Sequence, residues 1–145
     1  MMLSLPALAE GACDENTVWI RGDFGQARFS VEIADDNQER AVGLMNRPSM
    51  PQSAGILFVY EQPREVAFWM RNTLIELDIV FVDSSGVIAK IHPRAIPLDE
   101  TPIPSGQPVA HVLEINGGLA KMLGITVGSQ LRHPSFAPET AAWPC

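Results

Sequence analysis

Positive charge is scarce in this 145-residue chain, in which 10 lysines and arginines stand against 17 acids for a net charge of −7. That field repels nucleic-acid phosphates and anionic lipid head groups alike, so neither is expected as a partner. Long apolar runs are missing too. Nothing approaches the roughly 20 residues that cross a bilayer as a helix, so no membrane insertion is expected. Cysteine is limited to Cys13 and Cys145, both near the chain ends. With no G-x-S-x-G or serine-lysine pattern either, nucleophilic catalysis has no evident centre. Gly117-Gly118 lacks the further glycine and lysine of a phosphate-cradling loop, so no nucleotide cofactor is indicated, and none of another kind is expected.

What is present describes one folded domain, with 46% apolar and 19% charged residues. Residues 1–9 are apolar and small and finish in Ala7-Leu8-Ala9, the form of a signal-peptidase site, so they are expected to be the remnant of a signal peptide. Residues 10–145 are then a single globular domain of a periplasmic or extracellular protein. A disulfide between Cys13 and Cys145 agrees with export, and two free thiols are the alternative.

Period-2 alternation predicts strands over Thr17–Arg21 and Arg28–Ile33, paired through the turn at Gly22-Asp23-Phe24-Gly25. Asp36-Asn37-Gln38-Glu39 has the form of a capping box and predicts a short helix to about Met45, with Ala41, Leu44 and Met45 as its apolar stripe. Apolar runs predict strands over Gly55–Tyr60, Val66–Arg71 and Ile79–Asp83, the first two separated by the turn-like Glu61-Gln62-Pro63-Arg64. Ser84-Ser85-Gly86 turns the chain into a hairpin with Val87–Ile91. Five prolines between His92 and Pro108 predict a long irregular loop. A strand over Val109–Ile115, a helical turn or two over Leu119–Leu123 and a strand near Ser129–Arg132 complete the chain. The expected fold is α+β and mainly β, a small antiparallel barrel or curled sheet with one or two short helices.

Phe68-Trp69-Met70-Arg71-Asn72-Thr73, followed by Leu77-Asp78-Ile79-Val80-Phe81-Val82, resembles the core motif of the domain-of-unknown-function family 192. Glu39-Arg40 with Gly43-Leu44-Met45-Asn46-Arg47, then Gly55-Ile56-Leu57-Phe58-Val59, then Val112-Leu113-Glu114-Ile115-Asn116-Gly117-Gly118 agree in order, so the resemblance covers about residues 29–131. Ile56, Arg71, Glu76 and Gly117 depart from the residues usual in the family. The resemblance implies a compact strand-rich fold and frequent export. It implies no chemistry.

Chemistry-bearing side chains concentrate in Trp69, Arg71, Asn72, Thr73, Asp78 and Glu114, which sit at the edges of strongly apolar strands. A buried carboxyl is costly unless paired, hydrogen-bonded or open to a wet pocket. One reading is structural: Glu114 pairs with Arg40 or Arg47, while Asp78 and Asn72 accept from backbone N–H groups of the turn over residues 73–77. The other makes Trp69, Arg71, Asn72, Asp78 and Glu114 the lining of a ligand groove near the proline-rich loop, with an aromatic face for stacking and carboxyl groups for hydroxyls or cations. On that basis the chain is expected to be a non-catalytic binding module for a small envelope or carbohydrate-like ligand. Two alternatives stand beside it, a hydrolase of envelope polymers using Asp78 and Glu114 as acid and base, and a structural or assembly partner of another exported protein. No metal site is expected: His111 and Glu114, three apart on a strand, face opposite ways, His92, His111 and His133 are scattered, and core filling accounts for Met45, Met50, Met70 and Met122 better than a soft copper site does.

Overall fold

In the computed structural model, described for residues 12–145, nine strands and two short helices follow one another as β1 (Thr17–Gly22), β2 (Gly25–Ala34), α1 (Asn37–Val42), β3 (Ala54–Arg64), β4 (Ala67–Phe68), β5 (Leu77–Val82), β6 (Ile88–Ala95), β7 (Ile103–Pro104), β8 (Val109–Asn116), α2 (Leu119–Leu123) and β9 (Gln130–Arg132). Seven strands form one sheet in the order β6-β5-β8-β3-β2-β1-β9, curled into a half-barrel, and β4 and β7 form a small second sheet. The mainly-β class with two short helices is therefore observed. A bridge between Val87 and Gln130 brings the two ends of the large sheet together at one corner. The residues expected to be a signal-peptide remnant lie outside the described residues.

The pairing is antiparallel except between β2 and β3, which run parallel with Ser30 opposite Ala54 and Ala34 opposite Phe58. The crossover between them carries α1. Its N-cap is Asp36, which accepts from the Glu39 N–H at 2.7 Å, while Glu39 accepts from the Asp35 N–H at 3.4 Å. The helix ends earlier than the sequence pattern predicts because Gly43 takes φ 47°, a left-handed value that stops the helical path. No residue of α1 is buried, and of the expected stripe only Leu44, in the turn that follows, is a core residue.

The two faces of the large sheet carry separate cores. Leu57, Val80, Val82, Leu113 and Ile115 belong to the first, which Leu119, Ala120, Ile125 and Phe136 complete. Ile56, Phe58, Ile79, Phe81 and Val112 belong to the second, together with Leu44, Met70, Ala95 and Ile103. All six residues of β5 are buried, as expected for a strand covered on both sides. Cys13 and Cys145 form a disulfide with Cα atoms 5.8 Å apart, inside the ordinary range. The C-terminal segment it tethers packs Phe136 and Trp143 inward, and the Arg21 guanidinium lies 4.5 Å over the Trp143 ring.

Three expectations are corrected. Glu61–Arg64 continues β3 as strand rather than turning. The strand expected over residues 66–71 shrinks to β4, because the Met70 N–H donates to the Asp99 carbonyl at 2.7 Å and Asn72 adopts φ 52°, which bends the chain away. The proline-rich stretch is partly regular: β6 continues through Pro93 to Ala95 on an edge of the sheet, where a missing N–H leaves no ladder bond broken, and Ile103-Pro104 pairs with β4.

Candidate functional site

Strand register decides which polar groups can meet. Glu114 of β8 stands opposite Ile56 of β3 and Ile79 of β5, so it belongs to the second face. Asp78 stands opposite Ile115 and belongs to the first. The two carboxyl groups project from opposite sides of one sheet, so the acid–base pair expected for a hydrolase is not formed.

Their surroundings differ as well. Asp78 is fully buried. One of its oxygens accepts from the N–H groups of Arg94 and Gly118, each at 2.9 Å, and the other from the Ala120 N–H at 2.8 Å. It thereby fastens the end of β6 to the β8–α2 turn, not the turn over residues 73–77. Gly118 fits there because its φ is 84° and a Cβ would come within 2.6 Å of the Arg94 guanidinium.

Glu114 is 4% exposed and, among the described residues, makes no hydrogen bond and no ion pair. Arg47, one of its expected partners, instead forms a two-pronged pair with Glu32, with one contact at 2.8 Å. Arg40, the other, donates to the Val59 carbonyl at 2.8 Å and to the Asn37 amide oxygen at 2.9 Å. Burial alone, without a counter-charge, pushes the Glu114 carboxyl up to about 8, so it holds its proton at neutral pH.

Above Glu114 opens a cavity of about 200 Å³. Phe58 and Tyr60 of β3, Phe68 of β4, and Trp69 and Thr73 from the loop beyond wall it, and Arg40 and the turn after α1 form the rim. Burial and the Glu114 carboxyl raise the Tyr60 phenol, while Arg40 and Arg64, whose guanidiniums lie 5.0 and 4.6 Å from its ring, act against that rise. A second cavity of about 410 Å³ shares Arg40 and Tyr60 with the first and is otherwise lined by Asp35, Asp36, Asn37, Glu61, Gln62 and Arg64. The loops that hold Trp69 and Thr73 in place contain left-handed residues, Asn46 at φ 63°, Asn72 at 52° and Leu98 at 67°. They are cross-tied, with the Asn46 N–H on the Asn72 carbonyl at 2.8 Å and the Leu98 N–H on the Thr73 carbonyl at 3.1 Å. Pinned strain of this kind gathers at functional sites.

Of the predicted lining, the structure brings together Trp69 and Glu114, with Arg71 5.3 Å over the Trp69 ring and 4.0 Å from Glu100. Asn72 contributes backbone geometry, and Asp78 is on the other face. Tyr60, Arg64 and Phe68 were not among the predicted residues, and Thr73, singled out for its chemistry, was not placed in the predicted lining. The alternation of Phe58 and Tyr60 with Ile56, which faces Glu114, is the signal that could have found Tyr60. Core filling holds for Met70 but not for Met122, which is 66% exposed. Asp35, Asp36 and Glu39 bring three carboxyl oxygens within 4.8 Å of one another on the surface, where oxygens of Asp36 and Glu39 already serve the α1 cap.

A family profile described as "Uncharacterized ACR" and named DUF192 matches residues 19–133. The chain belongs to the DUF192 family. Two solved structures are similar to this chain over most of its length. A protein of unknown function from Novosphingobium aromaticivorans is 43% identical, with a TM-score of 0.78, 79% of this chain covered and 82% of that one. A Sinorhizobium meliloti protein, provisionally named a transcription regulator, is 39% identical, with a TM-score of 0.79, 85% of this chain covered and 96% of that one. No curated protein matches. Among the described residues, no helix is long and apolar enough to cross a membrane.

Proposed function

We propose that the protein is an exported, non-catalytic binding module whose Glu114 cavity takes a small ligand of the cell-envelope or carbohydrate type. The observation that carries this reading is a buried carboxyl without a partner among the described residues, opening on an aromatic-walled cavity. Among the described residues the fully enclosed side-chain atoms without a partner are Trp19 Nε1 and His111 Nδ1, so the Glu114 oxygens face the cavity, within reach of something that enters. A protonated carboxyl both donates and accepts, which suits hydroxyl groups, and the half-exposed Trp69 offers an apolar surface beside it. At about 200 Å³ the cavity is smaller than the roughly 300–1,000 Å³ of drug-sized sites, which favours one ring or a chain end. The Cys13–Cys145 disulfide supports an oxidising compartment, the periplasm or the exterior. The net charge of −7 speaks against the nucleic-acid partner that the name of the Sinorhizobium protein would suggest.

The test is a thermal-shift screen of the full chain against sugars, peptidoglycan fragments, divalent and copper ions, and small carboxylates. A ligand at a hundredfold excess over its Kd stabilises by about 2.7 kcal/mol, which is a rise of roughly 5–10 °C for a chain of this size. Trp69→Ala is expected to abolish that rise while leaving the unliganded melting temperature close to that of the unaltered protein. No shift across the panel sinks the reading.

One observation favours the assembly-partner alternative. Leu74, Ile96 and Leu98 are 48–65% exposed on the loops cross-tied beside Trp69. That alternative gains if an envelope protein co-purifies with the chain and is lost on Leu98→Asp.

A further inference from the structure

A buried carboxyl can be neutralised by keeping its proton or by meeting a cation. Glu114 is 96% buried by its 4% exposure, and the free protein takes the first course. The cavity around it suits the second. Ring faces attract cations, and here the Tyr60 ring already seats Arg40 and Arg64 while the Trp69 ring seats Arg71. None of these guanidiniums forms a salt bridge with Glu114. Arg40 is held off by the Val59 carbonyl and the Asn37 amide, and Arg71 leans toward Glu100. The approach is also acidic on balance, since the adjoining cavity sets Asp35, Asp36 and Glu61 against Arg40 and Arg64 in a chain of charge −7.

We propose that Glu114 is the seat of a primary ammonium group carried by a small ligand, with the aromatic walls enclosing the carbon atoms next to it. This rests on the reading that the cavity binds a small ligand and narrows its chemistry. Two sources carry that group at the right size, an amino sugar and the amine end of an alkyl chain such as a lysine side chain. On binding, the carboxyl proton leaves to solvent and the ammonium takes its place beside the carboxylate. Because burial holds the carboxyl at about 8, close to one proton is released per ligand at pH 6–7, and apparent affinity rises about tenfold per pH unit.

The experiment is isothermal titration calorimetry of the full chain with n-butylammonium, n-butanol, glucosamine and glucose. It is run at about pH 6 and about pH 7, in two buffers of different ionisation enthalpy. Saturable n-butylammonium binding is expected, about tenfold tighter at the higher pH, with n-butanol at least tenfold weaker and near one proton released. Glucosamine binding tighter than n-butylammonium assigns the sugar source, and the reverse assigns the alkylamine. Glu114→Gln, which preserves side-chain shape, is expected to remove the proton release and about a hundredfold of the affinity, with an unchanged circular-dichroism spectrum. Alcohol and glucose binding as tightly as their amines overturns the ammonium proposal and leaves the small-ligand reading standing. Failure of both amines to bind also overturns the proposal, and the wider ligand screen then decides that reading by itself. Proton release in the unaltered protein tests the idea even if the variant does not fold.

Discussion

Asp78 and Glu114 lie on adjacent strands, one residue out of register, and both are buried, yet one is enclosed by three backbone N–H donors and the other by none. The first face of the sheet, where Asp78 points, also holds His111 and His133, joined through the Ser135 hydroxyl at 2.8 and 2.7 Å. His133 passes the chain on by donating from Nε2 to the Glu15 carbonyl at 2.8 Å. Polar groups on that side knit together the chain ends and turns, although His111 Nδ1 is enclosed without a partner among the described residues. On the second face the one buried acid opens on a cavity between α1 and the β4 loop. Burial therefore does not separate structure from function here. What separates them is whether the fold itself supplies the partners.

The largest expected effect comes from breaking the satisfied side. Asp78→Ala leaves the N–H groups of Arg94, Gly118 and Ala120 without their acceptor, at a cost of about 3–5 kcal/mol and a fall in melting temperature on the order of 10 °C. Thermal unfolding followed by circular dichroism measures it. A loss no larger than that of Glu114→Gln would erase the contrast between the two acids.

A second prediction sets the two faces against each other by pH. Glu114 is raised from an ordinary 4.5 to about 8, so its contribution to stability is full below about pH 4.5 and is lost as pH rises through 8. His111, buried against Phe136 with the ring centres 4.0 Å apart, is lowered from 6.5 to about 3. Its contribution is full above about pH 6.5 and is lost as pH falls toward 3. The two slopes oppose each other between about pH 4.5 and 6.5. Glu114→Gln removes one of them. The variant should gain on the unaltered protein by up to about 1.4 kcal/mol per pH unit from pH 5 to 8 in urea unfolding. A gap that does not change with pH would mean that Glu114 is solvated after all.

These contrasts were only partly legible in the sequence. Apolar runs located β5 and β8, and alternation located β1 and β2, because burial on one or both faces writes itself into residue order. The parallel β2–β3 pair was not legible, since a crossover through α1 depends on where the returning strand finds room. Pro63 within Glu61–Arg64 read as a turn, yet the residue lies on strand, and that misreading hid Tyr60 and Arg64 from the candidate site. Trp69 and Glu114 stood out as polar or amphipathic groups beside apolar runs. The pairing of Glu114 with Arg40 or Arg47 was wrong because sequence gives charge but not distance. Asp78 looked equivalent to Glu114 until strand register placed it on the other face.

The smallest effect sharpens the comparison from outside the core. Glu32, the acid that took Arg47, is mostly exposed, and its hydrogen bonds to that guanidinium hold the carboxyl below its ordinary 4.5. Its contribution is therefore present above about pH 4.5 and is lost as pH falls through the lowered value, the reverse of Glu114. Water and salt screen the pair, so Arg47→Ala should cost less than about 1 kcal/mol, and less again at high ionic strength. Urea unfolding of the variant at low and high salt measures this. A salt-independent loss of several kcal/mol would show that Arg47 is held by more than Glu32, and would reopen the question of which acid it serves.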